Sequence, residues 1–291
     1  TGTRILPLLL GLFAAVLWGL WWLPVRGLEA AGLTGLAAVT AMCLGALPAL
    51  APAALRRGGD WPRGRSGAGA LFMGVAVILY GYGLTVNEVV RTILFFYLAP
   101  AWSIAIELLF FGRRWYWRSG LALVLSLSGL VVIQRGEIGL AAFGLGDLVA
   151  LGAGLAWSIG SAMVFSAPSG TASRLTLIAT ASAFAGGVAV LSLTDGLPEI
   201  SGRAAGLALL WGTIFTAPVL LATIWGALRL GPATLSFLLT AEIVTGVISS
   251  ALLLDEPFGL PEALGAALIV LGGIVEVLLA GRAHLPDRPF R

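Results

Sequence analysis

Apolar residues fill most of this chain in long runs, and the polar positions gather in the short stretches between them. A bilayer-crossing α-helix needs about 20 such residues in succession. The pattern predicts ten helices. The first five are Ile5 to Val25, Leu33 to Leu55, Ser66 to Val86, Thr92 to Phe111 and Trp117 to Ile133. The second five are Leu145 to Phe165, Leu175 to Leu193, Ala204 to Leu228, Ala233 to Leu254 and Leu260 to Leu279. Only Asn87 to Arg91 join the third and fourth. The first run is too long for the core of a signal peptide. No connection is long enough to fold as a soluble domain, so function is expected within the helical bundle or at its mouths.

Composition agrees with that pattern. The chain of 291 residues is 59% hydrophobic and 11% charged, against about 25% charged residues in soluble domains. So few charges cannot cover a water-soluble surface, which argues against a soluble enzyme, a disordered chain or a nucleic-acid binder. The net charge of +3 comes entirely from arginine, since no lysine is present. Thirteen arginines fall in alternate connections and near the two ends: Arg4, Arg56, Arg57, Arg63, Arg65, Arg113, Arg114, Arg118, Arg174, Arg229, Arg282, Arg288 and Arg291. The other four, Arg26, Arg91, Arg135 and Arg203, fall in the connections between. Positive charge stays on the cytoplasmic side during insertion. Both termini are therefore expected in the cytoplasm, with the chain multi-pass in the cell inner (cytoplasmic) membrane. Cys43 is the only cysteine and His284 the only histidine. No disulfide framework, Ser-His proteolysis or His-ligated metal can be built from them, and no metal or cofactor is expected.

The two halves resemble each other. Phe13 to Gly19, with Trp18, aligns with Gly152 to Ser158, with Trp157. Leu109 to Trp115 aligns with Leu252 to Phe258, and each is followed by a glycine-punctuated apolar span. Five spans per half reverse the orientation, so the repeats are inverted, as in many secondary transporters with a midplane site. The expected fold class is an all-α polytopic membrane protein, ten transmembrane helices as two inverted five-helix repeats. The first repeat covers residues 1–136, the second 144–281, and 282–291 form a cytoplasmic tail.

At these residues the chain resembles the drug/metabolite transporter superfamily, and within it the EamA-type transporters. The early Trp of each half and the Leu252-Leu253-Leu254-Asp255-Glu256-Pro257 stretch carry the resemblance. Phe111-Gly112-Arg113-Arg114 departs from it, with arginine where the family has an acidic residue. Leu17-Trp18 through Arg26-Gly27-Leu28, Tyr97-Leu98-Ala99-Pro100 and the segment around Trp225-Gly226 resemble the aromatic amino acid exporters of that family. The resemblance implies a carrier built of two five-helix halves.

Small residues recur at every fourth position: Gly11, Ala15 and Gly19; Ala37, Ala41, Gly45 and Ala49; Ala150, Gly154, Ser158 and Ala162. In lipid such faces let helix backbones approach closely, and tight packing is their expected role. Pro100 and Pro218 lie mid-span. Each removes a backbone hydrogen bond, and the freed carbonyl is tolerated only against protein or a wet cavity. They are candidate kinks for gating, with a static bend as the alternative.

Glu242 is the acidic residue at depth. An ionised carboxylate facing lipid is costly, so it is expected to face inward. There it could accept a substrate's ammonium group, carry a coupling proton, or simply bond to Thr240 or Thr245. Asn87, Glu88 and Arg91 cluster at the outer mouth, where Arg91 either meets a substrate carboxylate or forms a surface ion pair. Aromatic residues are abundant, with ten Trp, thirteen Phe and four Tyr. The deep ones are Trp18, Trp22, Tyr80, Tyr82, Tyr97, Trp102, Trp157 and Trp225. With Glu242 they form the candidate substrate-binding set, because aromatic walls suit flat, apolar or cationic cargo. Core packing or lipid contact is the alternative for each.

The leading expectation is a secondary transporter exporting aromatic and other large neutral amino acids by alternating access. Its partners are a small-molecule substrate and membrane lipid, with no nucleic acid, and it works as a monomer. The alternative is an exporter of drug-like cations or other small metabolites on the same fold. A lipid-modifying enzyme would need a base, a metal site or a partnered nucleophile, and none is legible. Single-cysteine accessibility labelling, done with Cys43 replaced by Ala, should place both termini on the same face of the membrane. Labelling on opposite faces would remove the inverted repeat.

Overall fold

The computed structural model describes residues 2–56, 58–98, 102, 106, 117–133, 143–194, 196–230, 238–239, 241–254 and 258–280. Among them every regular element is helical, and no strand occurs. In chain order the helices are α1 (Gly2–Gly19), α2 (Trp22–Glu29), α3 (Leu36–Ala54), α4 (Gly64–Val86), α5 (Val89–Phe96) and α6 (Trp117–Ile133). The second half holds α7 (Leu145–Ser166), α8 (Ala172–Leu193), α9 (Gly202–Trp211), a π-helical segment (Gly212–Thr216), α10 (Ala217–Leu230), α11 (Ala241–Leu253) and α12 (Leu260–Ala280).

Six helical stretches are long and apolar enough to cross a membrane: Ile5–Glu29, Leu36–Ala54, Gly64–Val86, Leu145–Ser166, Ala172–Leu193 and Gly202–Leu230. Three more, Gly120–Gly129, Ala241–Leu253 and Leu260–Gly272, are apolar but shorter. With α5, which opens the fourth predicted span, helices occupy all ten predicted segments. The chain has the all-α polytopic fold that the hydrophobic pattern implies.

Two spans are interrupted. The first breaks at Leu20 and Trp21 between α1 and α2. The eighth widens into the π-helical turn just before Pro218, with the Ala217 N–H bonding five residues back to the Gly212 carbonyl. Proline has no N–H to continue an α-helical ladder, and a wide turn ahead of it absorbs the mismatch. Pro100 lies outside the described residues.

The extensive packing runs between the halves. α4 lies along α7 and α8, α3 lies along α8 and against α9 and the π-helical turn, and α6 lies along α12. α1 lies against α10 and α11, while α7 meets α4 and α5. Exchanging each span with the one five later maps this set of pairs onto itself. The two halves therefore interleave about a pseudo-twofold relation.

Glycine makes these approaches possible. A Cβ on Gly69 would meet the Gly160 carbonyl oxygen at 2.7 Å, and one on Gly160 would meet that of Gly69 at 2.7 Å. A Cβ on Gly45 would run into the Ala208 carbonyl oxygen, and one on Gly154 would meet that of Phe96 at 2.7 Å. With no hydrophobic drive between helices inside lipid, such backbone contact supplies the dispersion that holds them. Gly45 and Gly154 belong to the predicted small-residue stripes; Gly69 and Gly160 do not.

At one end of α4 the connections are tied by polar bonds. The Ser66 hydroxyl donates to the Ser169 carbonyl at 3.0 Å, and the Arg63 N–H donates to the Ser169 hydroxyl at 3.0 Å. Nearby, the guanidinium of Arg174, only 5% exposed, donates to the carbonyls of Ala54, Arg56, Gly58 and Gly59, and it lies over the Trp61 ring at 4.9 Å. Sequence reading took Arg174 as a solvated topology marker. It is instead buried and saturated by main-chain oxygens.

Gly160→Leu should lower stability by about 1–3 kcal/mol through overpacking, read as a lower unfolding temperature in detergent. An exposed control such as Leu71→Ala, at a residue 50% exposed, should leave it nearly unchanged.

Candidate functional site

A small hollow lies between the halves, with a cavity volume of about 30 Å³. Trp18, Ala76, Val77, Tyr80 and Phe96 line it from the first half, and Trp157, Leu239 and Glu242 from the second. Its walls are almost wholly apolar. The carboxyl of Glu242 is the one acidic group among the described lining residues.

Glu242 stands in the first turn of α11, 3% exposed. Its position is fixed by the α1 backbone: a Cβ on Gly19 would meet the Glu242 carbonyl oxygen at 2.6 Å and the Gly246 nitrogen at 2.7 Å. Two phenols from the first half meet its carboxyl. The Tyr80 hydroxyl donates to Oε1 at 2.7 Å, and the Tyr97 hydroxyl lies 2.8 Å from Oε2. Tyr97 also reaches the Leu239 carbonyl. The local alternative weighed from sequence fails for Thr245, whose hydroxyl donates to the Ala241 carbonyl at 2.9 Å. Thr240 lies outside the described residues.

An unbroken string of rings approaches the carboxyl. Trp21 stacks on Trp18 at 4.7 Å, Trp18 meets Tyr80 edge-on at 5.6 Å, Tyr80 meets Phe96 at 5.0 Å, and Phe96 meets Tyr97 at 5.7 Å. Offset and edge-on pairs of this kind are favourable beyond the area they bury. On its other side Trp21 meets Phe215 at 6.0 Å, and Phe215 meets Trp211 at 6.4 Å. Trp21, Phe96 and Phe215 were missed in the sequence. Trp21, three residues on from Trp18, is also its neighbour on a helix surface, and it is this pair that stacks, where the sequence reading had paired Trp18 with Trp22.

The remaining predicted site residues lie elsewhere. Trp22 is buried and donates to the Ser249 hydroxyl at 3.1 Å, while Trp18 donates to the Thr223 hydroxyl at 2.9 Å. Both bonds join α1 and α2 to the second half. Tyr82 is absent from the hollow's lining and lies beside Gly35. Trp225 carries the Arg229 guanidinium over its ring at 4.4 Å. The indole N–H of Trp102 is buried without a hydrogen-bond partner among the described residues.

At the far end of α4 from Ser66, a second polar knot joins the halves. Asp147 Oδ1 accepts from Arg91 Nε at 2.6 Å and from Asn87 Nδ2 at 2.9 Å. Its Oδ2 accepts from Arg91 Nη2 at 2.7 Å and from the Gly144 N–H at 3.0 Å. Sequence reading left Arg91 to a substrate or a surface pair. Its bidentate partner is a carboxylate of the other half, 2% exposed, which a linear reading of the mouth did not connect to it. Among the described residues no cluster of side chains could hold a metal ion.

Residues 5–135 match the EamA-like transporter family. That stretch, nearly the whole first half, is thereby similar to a family of membrane transporters. A crystal structure of another protein, 22% identical, aligns with 97% of this chain and 100% of its own length at a TM-score of 0.61, which shows a shared fold. No curated protein matches the chain in sequence.

Asp147→Asn removes the buried charge that Arg91 grips. It should cost about 2 kcal/mol, measured as a lower unfolding temperature. Arg91→Leu combined with it should recover part of that loss; additive losses would mean that the pair is not coupled.

Proposed function

We propose that this chain is a secondary transporter that exports aromatic and other large neutral amino acids across the inner membrane. Alternating access of the two repeats, residues 1–136 and 144–281, would carry the cargo through the hollow between them. Both termini lie in the cytoplasm in this reading, the tail 282–291 included, and a single chain suffices for the pathway.

The observation that carries the reading is the pairing of rings with one buried carboxyl. Trp18, Tyr80, Phe96 and Trp157 offer flat apolar surfaces, and Glu242 offers a counter-charge for an ammonium group. A cargo with an aromatic body and a primary amine satisfies both, through stacking and a charge-assisted hydrogen bond. The resemblance of Tyr97-Leu98-Ala99-Pro100 and the first span to the aromatic amino acid exporter YddG points the same way. The polar knots at the two ends of α4 are the contacts that opening to either side would have to break in turn.

A second reading, export of drug-like cations, is favoured by one specific feature. The described lining holds an acid but no cation to receive a substrate carboxylate. A substrate panel in proteoliposomes separates the two. The amino acid reading expects counterflow of labelled Phe and Trp that saturates with concentration and is lost in Glu242→Ala. Transport of aromatic amines alone, with no counterflow of any amino acid, would select the cation reading.

A further inference from the structure

The two ends of the bundle hold their charges differently. α4 runs from Gly64, beside the Ser66–Ser169 bonds, to Val86, beside the Asp147 knot. Following the chain through the crossing helices places Arg229, at the end of α10, on the same face as the α3–α4 loop. Arg203, at the start of α9, falls on the opposite face. On that opposite face arginines are met by carboxylates: Arg26 bonds Glu29 at 2.8 Å, and Arg91 bonds Asp147 at 2.6 Å. On the loop face Arg56, Arg63, Arg65 and Arg229 are all exposed. Among the described residues none of the four meets a carboxylate, and Asp60 is the one acid in the loop.

The loop that carries these arginines is fixed. Gly58 and Gly59 take positive φ, 102° and 73°, a conformation open to glycine. Their carbonyls turn in on the Arg174 guanidinium, with those of Ala54 and Arg56. The Arg63 N–H is held by the Ser169 hydroxyl. The main chain is thus bonded inward, while the side chains of Arg56, Arg63 and Arg65 are left exposed beside Trp61, itself 43% exposed. The loop joins two helices that are each long and apolar enough to cross a membrane. It therefore sits at the level of the lipid headgroups, where Trp is enriched. Guanidinium groups match phosphate oxygens in geometry and charge, and a loop already ordered loses little freedom on binding.

We infer that the α3–α4 loop is a docking surface for anionic phospholipid headgroups, with Arg56, Arg63 and Arg65 as the groups that take the phosphate. A zwitterionic headgroup brings its own cation, which the arginines repel; an anionic one does not. The loop belongs to the first half and is fastened to Ser169 and Arg174 of the second, so a bound headgroup braces the seam at this end.

Thermal unfolding of the full chain in neutral detergent tests this, with dioleoylphosphatidylglycerol, dioleoylphosphatidylcholine or inorganic phosphate added. Phosphatidylglycerol should raise the unfolding temperature saturably, and the other two should not. An arginine near the surface is worth about 5-fold in affinity for anionic lipid, so Arg56→Gln, Arg63→Gln and Arg65→Gln together should raise the phosphatidylglycerol concentration needed by about 100-fold. The unfolding temperature without lipid should hardly change, because all three side chains are exposed. Arg65→Gln alone should give about a 5-fold loss, which keeps the test open if the triple variant does not fold. Arg203→Gln, on the opposite face, should leave the response intact. Salt at about 1 M, which screens charges beyond about 3 Å, should abolish it. Equal stabilisation by phosphatidylcholine, a full response in the variants, a response that survives salt or one lost in Arg203→Gln would overturn the inference. Stabilisation by inorganic phosphate would overturn it in favour of a free anion.

Discussion

Helices inside lipid gain little by hiding apolar surface from one another, so they must be held by how closely their backbones meet. In this protein that closeness is concentrated at glycines facing carbonyl groups of the opposite half. Gly69 and Gly160 press against each other, Gly45 against Ala208, and Gly154 against Phe96. At Gly19 the same device sets the functional group, because α1 lies directly on the Glu242 backbone. Where α11 begins, and so where its carboxyl points, is decided by the missing side chain of a residue more than two hundred positions earlier. The ring string and the two phenols then define what surrounds that carboxyl.

The interleaving of the halves gives the site its character. Trp18, Tyr80, Phe96 and Tyr97 come from one half, and Trp157, Leu239 and Glu242 from the other. Neither half alone encloses the carboxyl. The same holds at the ends of α4, where Arg91 meets Asp147 and Ser66 meets Ser169. Among the described residues, the polar bonds at the hollow and at the ends of α4 cross the seam, so a motion of one half against the other acts on these contacts.

Much of the fold was legible because its cause is periodic and local. Apolar run length set the ten segments, and a polar residue deep in an apolar helix marked Glu242 as inward-facing. Trp18, Tyr80 and Trp157 could be selected as deep aromatics, and they line the hollow. What was not legible is the information that depends on registration between distant segments. Asp147 was not singled out in the sequence, and Arg174 was read only as a marker of topology. The α1–α2 break at Leu20 and Trp21 lies where Pro24 cannot donate to the Leu20 carbonyl four residues back, a signal that the sequence reading did not use. Pro218 did announce an irregularity, but not that the helix would answer with a π turn.

The Arg174 cage contrasts with the centre of the molecule. Among the described residues, every oxygen that holds its guanidinium belongs to the main chain. Such a fastening depends on the path of the main chain and not on any acceptor side chain, so whatever loosens it must be mechanical, transmitted along α8 or through the loop it embraces.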